Sequence, residues 1–520
     1  MFSLITEPWL PAIDRMGKQR KISPQQIFDS DIVELAWPRA DFQGAAYQLL
    51  IGLLQTTLSP KDEEEWDDVW EEGVDAQIWH QALDRVAAAF HFGPQKPAFL
   101  QDFSTLEVEP SSIAGLLVDA PGGNTLKLNK DHFVKRSSYQ QFCPHCTAMA
   151  LFTVQTNSPA AGAGFRTSMR GGGPMTTLLV PKTPSEPLWK KLWLNVMPQS
   201  DSWQKEQLPL IFPWLTATRS SETAKNIVTP GNSHPLQAHW GMPRRLEIDF
   251  DQIHAGQCDL CGEHSDALLS QMRSKNYGVQ YEGWRHPLSP YRQVLKDLEA
   301  PLIPLKGQPG GLAYKDWLGL VVESEEKLNR VLPARVVRLN PMPKFTHLWC
   351  FGYDMDNAKA RCWYEHRLAI SSLPKSQGGE LKALLQMAIE LAASSLPLLR
   401  QALKEAWFDS PKEAKGDFSA IDVAFWQQTE ADFSRLWNSL NHYPSATYPE
   451  ARTALRRWKT ALRDYLFLAF DQRAFTNPDE SADLARILRA RLHLNKNFIK
   501  QKSLKALAEI VREREEKQNV

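Results

Sequence analysis

The chain has 520 residues, 43% of them hydrophobic, with 18 Trp, 35 Pro and 6 Cys. That length and apolar share suit roughly two to four domains with buried cores and exclude a wholly disordered chain. Sixty basic residues balance sixty acidic ones, so the chain is not a uniformly basic nucleic-acid binder.

The opening Met1-Phe2-Ser3-Leu4-Ile5-Thr6-Glu7 lacks the basic flank and small-residue cleavage site of a signal peptide. No uninterrupted apolar run reaches the roughly 20 residues that span a bilayer. A soluble, cytoplasmic protein without a membrane partner is expected. Its cysteines should then serve as thiols or metal ligands rather than as disulfides. The neutral total is an average over uneven segments. Residues 1–75 hold six basic and fifteen acidic residues, nine of the acids within Asp62–Asp75. Residues 121–180 reverse this, with Lys127, Lys130, Lys135, Arg136, Arg166 and Arg170 against Asp131 alone. Residues 452–505 carry thirteen basic and five acidic residues. Such segregation creates local fields that a zero sum conceals, although each run also suits a solvated helix face.

Residues 1–377 read as a large, loop-rich α+β domain, rich in Pro, Gly and Trp. Helical patches fall at Gln43–Gln55 and Glu63–Ala89, and short apolar runs at 175–180 and 335–339. Cys143-Pro144-His145-Cys146 and Cys258-Asp259-Leu260-Cys261-Gly262 are two CxxC knuckles. Two such pairs supply the four thiolates of a closed structural zinc site, here clamping two distant loops. A redox CxxC is the rival reading, and it needs only one pair. His145, His254 and His264 lie close enough in sequence to substitute as ligands. Cys350 and Cys362, among Trp349, Phe351 and Trp363, read as buried apolar fillers.

Between the knuckles, Gly162-Ala163-Gly164-Phe165-Arg166 and Met169-Arg170-Gly171-Gly172-Gly173-Pro174 form small-residue loops. They permit close backbone approach, with Arg166 and Arg170 available to phosphate, or they are plain turns. No Lys-Ser or Lys-Thr follows at the spacing of a phosphate-binding loop. Arg273-Ser274-Lys275-Asn276-Tyr277 reads as a hairpin segment offering a cation, an amide and an aromatic. The polar stretch Gly352–Arg361 reads as a loop tip. From residue 378 to 520, Leu381, Leu384, Leu385, Ala388, Leu391 and their successors recur at helical spacing. Further helices start near Asp417, after Pro449 and near Ser481, which makes a C-terminal four-helix bundle, with Pro397 kinking or splitting the first helix.

No nucleophile elbow, HExxH or dinucleotide fingerprint occurs, and no catalytic residue is assigned. A non-enzyme is favoured. The alternative is a zinc-stabilised nucleic-acid-processing enzyme with dispersed catalytic residues.

Phe2-Ser3-Leu4-Ile5-Thr6-Glu7-Pro8-Trp9-Leu10-Pro11 resembles the N-terminal signature of the CasA family, the large subunit of the type I-E CRISPR surveillance complex Cascade. The resemblance continues in order through Pro38–Phe42, the Cys143 knuckle with Thr147–Phe152, and Arg170-Gly171-Gly172. It then takes in the Cys258 knuckle, Trp284-Arg285-His286-Pro287, Gly352-Tyr353 and the helical C-terminus. It implies a non-catalytic subunit for antiviral defence that recognises the protospacer-adjacent motif in double-stranded DNA from the minor-groove side. That subunit promotes duplex opening and R-loop formation with a CRISPR RNA guide, sits among other Cascade subunits and helps recruit a helicase-nuclease. The resemblance assigns a glycine loop to Gly162, Ala163 and Gly164, a lysine finger to Lys275, and a wedge to Asp356, Asn357 and Ala358. A further loop, Asn124–Lys130 with Asn124, Lys127 and Lys130, would contact the RNA-bearing core and lie near the motif. The bundle, with Arg456, Arg457 and Lys459, would hold DNA. Ala163 stands where Gly is frequent, and Asn357 where a longer Gln is familiar, so the preferred motif is left open.

Overall fold

The computed structural model describes residues 2–516 except 121–126, 128–136, 163, 200–201, 224–225, 309–310, 326–327, 340–345, 357–358, 371–374, 415 and 476–482. It divides into two compact units, Met1–Gln308 with Glu323–Ala369, and Pro309–Val322 with Ile370–Val520.

The first unit is built around the helix Ala40–Thr57, which begins where extended Arg39 hands over to Asp41 in the first turn. Nearly every side chain along it is buried, as a helix that is apolar on all sides requires. The predicted patch at 63–89 resolves into helices Glu63–Glu72 and Ala76–Asp84 and a single 3-10 turn, Ala87–Ala89. Asp62 and Asp75 cap the two helices through their side chains. The sheets are small. The longest pairing is the hairpin Thr346–Asp356 with Lys359–Ala369, whose first strand also pairs antiparallel with Thr176–Pro181. A second sheet sets Gln271–Lys275 between Ser111–Ser112 and Arg245–Ile248.

The tryptophans account for much of the core. Trp214 and Trp240 pack with Phe90, Phe99 and Phe212 at ring separations of 5.2–6.3 Å. Each buried indole N–H needs an acceptor. Trp66 donates to Val196 O at 2.9 Å, Trp79 to Pro24 O at 2.9 Å and Trp214 to Ala89 O at 2.7 Å.

The second unit carries helices Lys375–Trp407, Ser419–His442, Pro449–Phe475, Leu484–Lys500 and Lys502–Glu516. The expected fourth helix is thus broken, because Gln501 leaves helical geometry at φ −58°, ψ 136°. The first helix runs on through Pro397 without being split. This helix is the one described element long and apolar enough, by length and composition, to cross a membrane. Its Leu381, Leu384, Leu385, Ala388, Leu391 and Ala392 are buried inside the bundle, as in the core helix of a bundle. The segment Pro309–Val322 joins this unit. Tyr314 stacks on Phe433 at 4.3 Å, and its hydroxyl lies 2.9 Å from Thr429 Oγ1. Trp317 packs against Trp437 at 5.0 Å.

The apolar run 335–339 forms a short helix, Arg335–Leu339. Two local expectations are corrected. Gly352–Asp356 is strand rather than loop tip, because its backbone is paired on both sides of Gly352 and only residues 357–358 separate the two strands. Cys350 is buried in the central strand, but Cys362, which pairs with Asp354 on the same face, is exposed on the edge strand close to the hairpin end.

Candidate nucleic-acid interface and four-cysteine cluster

Cys143 is the N-cap of the buried helix Pro144–Asn157, and its sulfur accepts from Cys146 N. The second knuckle is the turn between strands His254–Gln257 and His264–Leu268. Cys258 O accepts from Gly262 N at 2.9 Å, and Gly262 has φ +74°, which closes that turn. The two turns meet. Cys143 N donates to Cys258 Sγ at 3.2 Å, and Cys143 Sγ lies 3.9 Å from Cys261 Sγ. All four sulfurs fall within 4.8 Å of one another, close enough to hold a metal ion. Zinc–thiolate bonds of about 2.3 Å place tetrahedral sulfurs about 3.8 Å apart, so the donor set fits. Hydrogen bonding from the Cys143 thiol, then from Cys146 and Cys261, holds the Cys258 thiol well below the ordinary range.

None of the three nearby histidines joins the sulfurs. His145 faces Lys21 at 3.4 Å and packs on Phe2, His254 bonds Gln141 at 2.7 Å, and His264 is exposed beside Asp266.

The helix that starts at Cys143 ends at Asn157, where the glycine loop begins. The chain that leaves Cys261 runs through Gln271–Lys275 to the turn at Asn276 and Tyr277. These far ends meet as well. Tyr277 N–H donates to Gly164 O at 2.8 Å. Gly164 has φ +78°, and a Cβ there would sit 2.9 Å from Tyr277 N. Ser221 bridges the same seam: its N–H donates to Tyr277 O at 3.1 Å and its hydroxyl to Gly278 O at 2.6 Å. Arg166 is half-buried and donates from Nε to Ser221 Oγ at 2.8 Å.

The second glycine run joins this seam to the hairpin. A Cβ on Gly172 would meet Pro159 Cα at 2.6 Å, and one on Gly173 would meet Met355 Cγ at 2.5 Å. Gly173 N donates to Asn157 O at 2.9 Å. Met355 precedes Asp356, the last described residue before the hairpin tip. Arg361 ties the two strands through Asp354 at 2.7 Å and approaches Asp356 at 3.9 Å.

Arg170 is a correction. It is buried and donates to Thr176 Oγ1 at 2.9 Å, Ser289 Oγ at 3.0 Å and Gln48 Oε1 at 2.6 Å. A guanidinium spent on interior acceptors offers nothing to phosphate. Burial pushes its pKa down to about 10. Beside it His239 and His286 lie 5.3 Å apart. Burial, with the Arg170 charge, lowers His239 to about 3 and His286 well below the ordinary imidazole value.

Lys275 is half-exposed at the end of its strand, with no ion pair among the described residues. Gly162 and Lys127 are exposed. Ala163, Asn357, Ala358, Asn124 and Lys130 lie outside the described residues. In the second unit Arg456 and Arg457 are exposed and Lys459 is half-buried. A residue that sequence reasoning missed is Arg244. It lies under the glycine loop, donates to Ser158 Oγ at 3.3 Å and to Pro159 O, and sits 5.3 Å from the Phe165 ring. Nothing in the local pattern Pro243-Arg244-Arg245 marks that role, because its partners come from another part of the chain.

The backbone loops, the half-exposed Lys275 and the polar hairpin end thus lie on neighbouring segments of the first unit. Comparison with solved structures gives the same fold in Thermus thermophilus CasA (Cse1), at 19% identity and TM-score 0.66, covering 96% of this chain and 99% of that one. Thermobifida fusca Cse1 matches at 15% identity and TM-score 0.65, over 96% and 98%. A chain of a CRISPR RNA-guided surveillance complex matches at 14% identity and TM-score 0.63, over 96% and 99%. The fold is therefore that of a CRISPR-associated protein. The family model for CRISPR-associated protein Cse1 matches residues 3–469, and the chain belongs to that family.

Proposed function

We propose that this chain is the non-catalytic large subunit of an RNA-guided surveillance complex, reading a protospacer-adjacent motif in double-stranded DNA and promoting duplex opening. In this reading, Gly162–Gly164 and Lys275 approach the minor groove and the tip beyond Asp356 acts as the wedge. The minor groove mainly separates A·T from G·C, so recognition there is permissive, and sequence reading passes to base pairing with the guide. The wedge offsets part of an unstacking cost of roughly a few kcal/mol per step. The observation that carries the reading is the convergence of three sequence-distant segments, joined by the Tyr277–Gly164 hydrogen bond and the Gly173–Met355 contact.

The four cysteines hold a structural zinc that fixes the roots of two of those segments. Partner subunits with CRISPR RNA, target DNA and a helicase-nuclease complete the role, and the protein works in the cytoplasm. The matched surveillance-complex chain supports the partnership.

The test is a motif-library binding assay on the complex assembled with guide RNA. Lys275→Ala and Asn357→Ala are expected to weaken motif-dependent binding about tenfold, within the range of groove contacts, while assembly persists. Normal binding by both variants would remove the assignment. Cleavage of DNA by the purified chain with Mg²⁺ would favour the processing-enzyme reading instead.

A further inference from the structure

The cysteine cluster joins two turns that 111 residues of chain separate, so Cys143 and Cys146 must be brought to Cys258 and Cys261 from far away in sequence. A metal ion can supply that closure alone, or hydrogen bonds can supply part of it beforehand. Four consecutive backbone N–H groups, from Gln140 to Cys143, all donate to the second knuckle or its hairpin. Gln140 N and Gln141 N donate to the same oxygen, Asp259 Oδ2, at 2.6 and 2.9 Å. Phe142 N donates to Leu269 O at 2.9 Å, and Leu269 N donates back to Phe142 O at 2.8 Å. Cys143 N ends on Cys258 Sγ at 3.2 Å. The first three donors thus reach oxygens that take no part in the sulfur cluster.

Asp259 lies between Cys258 and Cys261 and is exposed to solvent. It meets the first segment by its backbone as well, since its own N–H donates to Gln141 O at 3.1 Å. The Gln141 side chain adds two contacts to the strand before Cys258. Its Nε2 donates to Gln257 O at 2.9 Å, and its Oε1 lies 2.7 Å from His254 Nε2. The carboxylate of Asp259 and the amide of Gln141 therefore fix the register of residues 140–143 against the second hairpin. Cys143 has extended backbone, so a slip of one residue would turn its side chain to the opposite face, away from Cys261.

We propose that Asp259 is a positioning residue for the metal site, holding the first knuckle in register so that the four sulfurs are gathered before a metal binds. This role rests on the reading of the cluster as a zinc site. The physical basis is preorganisation. A ligand set ordered in advance binds metal more tightly than one that the metal must itself collect from a mobile chain. Groups that orient metal ligands typically contribute about 10–100-fold in affinity.

Asp259→Ala deletes the acceptor shared by Gln140 and Gln141, whereas Asp259→Asn retains an oxygen that can accept from both. Phe142 and Cys143 donate elsewhere, so their amides report on the register rather than on the deleted bonds. In the metal-free full chain their hydrogen exchange is expected to be slow, and to quicken about tenfold in Asp259→Ala. Unprotected amides in the metal-free parent, or unchanged exchange in the variant, would overturn the positioning role. Zinc affinity, measured by competition with a chelator, should fall about tenfold in Asp259→Ala and recover to within about threefold of the parent in Asp259→Asn. Equal affinity in the parent and Asp259→Ala would overturn the proposal. The cobalt(II) forms of all three proteins should share the absorption of tetrahedral thiolate coordination. A changed spectrum would also overturn it, by showing that the ligand set itself had altered. If the parent binds neither metal, the zinc reading fails, while exchange in the metal-free chain still decides whether Asp259 holds the register.

Discussion

The backbone N–H of Tyr277 donates to the carbonyl of Gly164 at 2.8 Å, closing a loop whose other end is the cysteine cluster. Two chain segments, one leaving Cys146 and one leaving Cys261, are therefore pinned at their roots by sulfur and at their tips by a backbone hydrogen bond. In the proposed reading, this double pinning restrains Gly164 before binding and so lowers the ordering cost.

Gly164→Ala should disturb this seam directly. Its positive φ costs a non-glycine residue about 1–2 kcal/mol, and the new methyl meets Tyr277 N at 2.9 Å. Gly162, at φ +82° with open space around a built Cβ, is the control. Motif-dependent binding should fall further in Gly164→Ala than in Gly162→Ala. Equal losses would show that the contact with Tyr277 contributes nothing.

Metal analysis of the purified protein should find about one zinc per chain. Chelation, or Cys258→Ser, should lower the melting temperature and weaken motif-dependent binding together, because structural zinc binding is coupled to folding by several kcal/mol. A metal-free preparation of full stability would demote the four cysteines to packing residues.

Acid should destabilise the first unit through the buried histidine pair. His239, lowered to about 3, and His286, lower than ordinary, stay neutral in the fold, whereas unfolded imidazoles protonate near 6.5. The unfolded chain thus binds more protons as pH falls below about 6.5, and stability drops by up to about 1.4 kcal/mol per pH unit for each histidine. Above that pH the contribution is fully present. Melting curves between pH 7.5 and 5 should show a shallower drop for His239→Gln than for the parent. Parallel drops would mean that His239 titrates normally in the fold.

In the bundle, replacing Arg456, Arg457 and Lys459 with alanine should make R-loop stability less salt-dependent. Loss of three phosphate contacts would reduce the slope of log K against log salt by roughly two to three. An unchanged slope would exclude the three from DNA contact.

The sequence by itself determined the elements whose cause is local. Leucine and alanine spacing sets the C-terminal helices, Asp62 and Asp75 cap theirs, and CxxC spacing places paired thiols on one side of a turn. Even the neutral total, once resolved into acidic and basic segments, pointed to localised rather than uniform charge. What depended on distant partners was decided only by the tertiary structure. Arg170 looked like a phosphate ligand in a glycine-rich stretch, but folding surrounds it with Gln48, Thr176 and Ser289. Gly352–Asp356 looked like a turn by composition, but pairing with Tyr364, Trp363 and their neighbours extends it as strand. Tyr314 belongs to the helical unit because its ring finds Phe433 and Trp458 there, which no pattern around residue 314 announces. Periodicity and turn chemistry act over a few residues, and burial and pairing are properties of neighbours that only folding supplies.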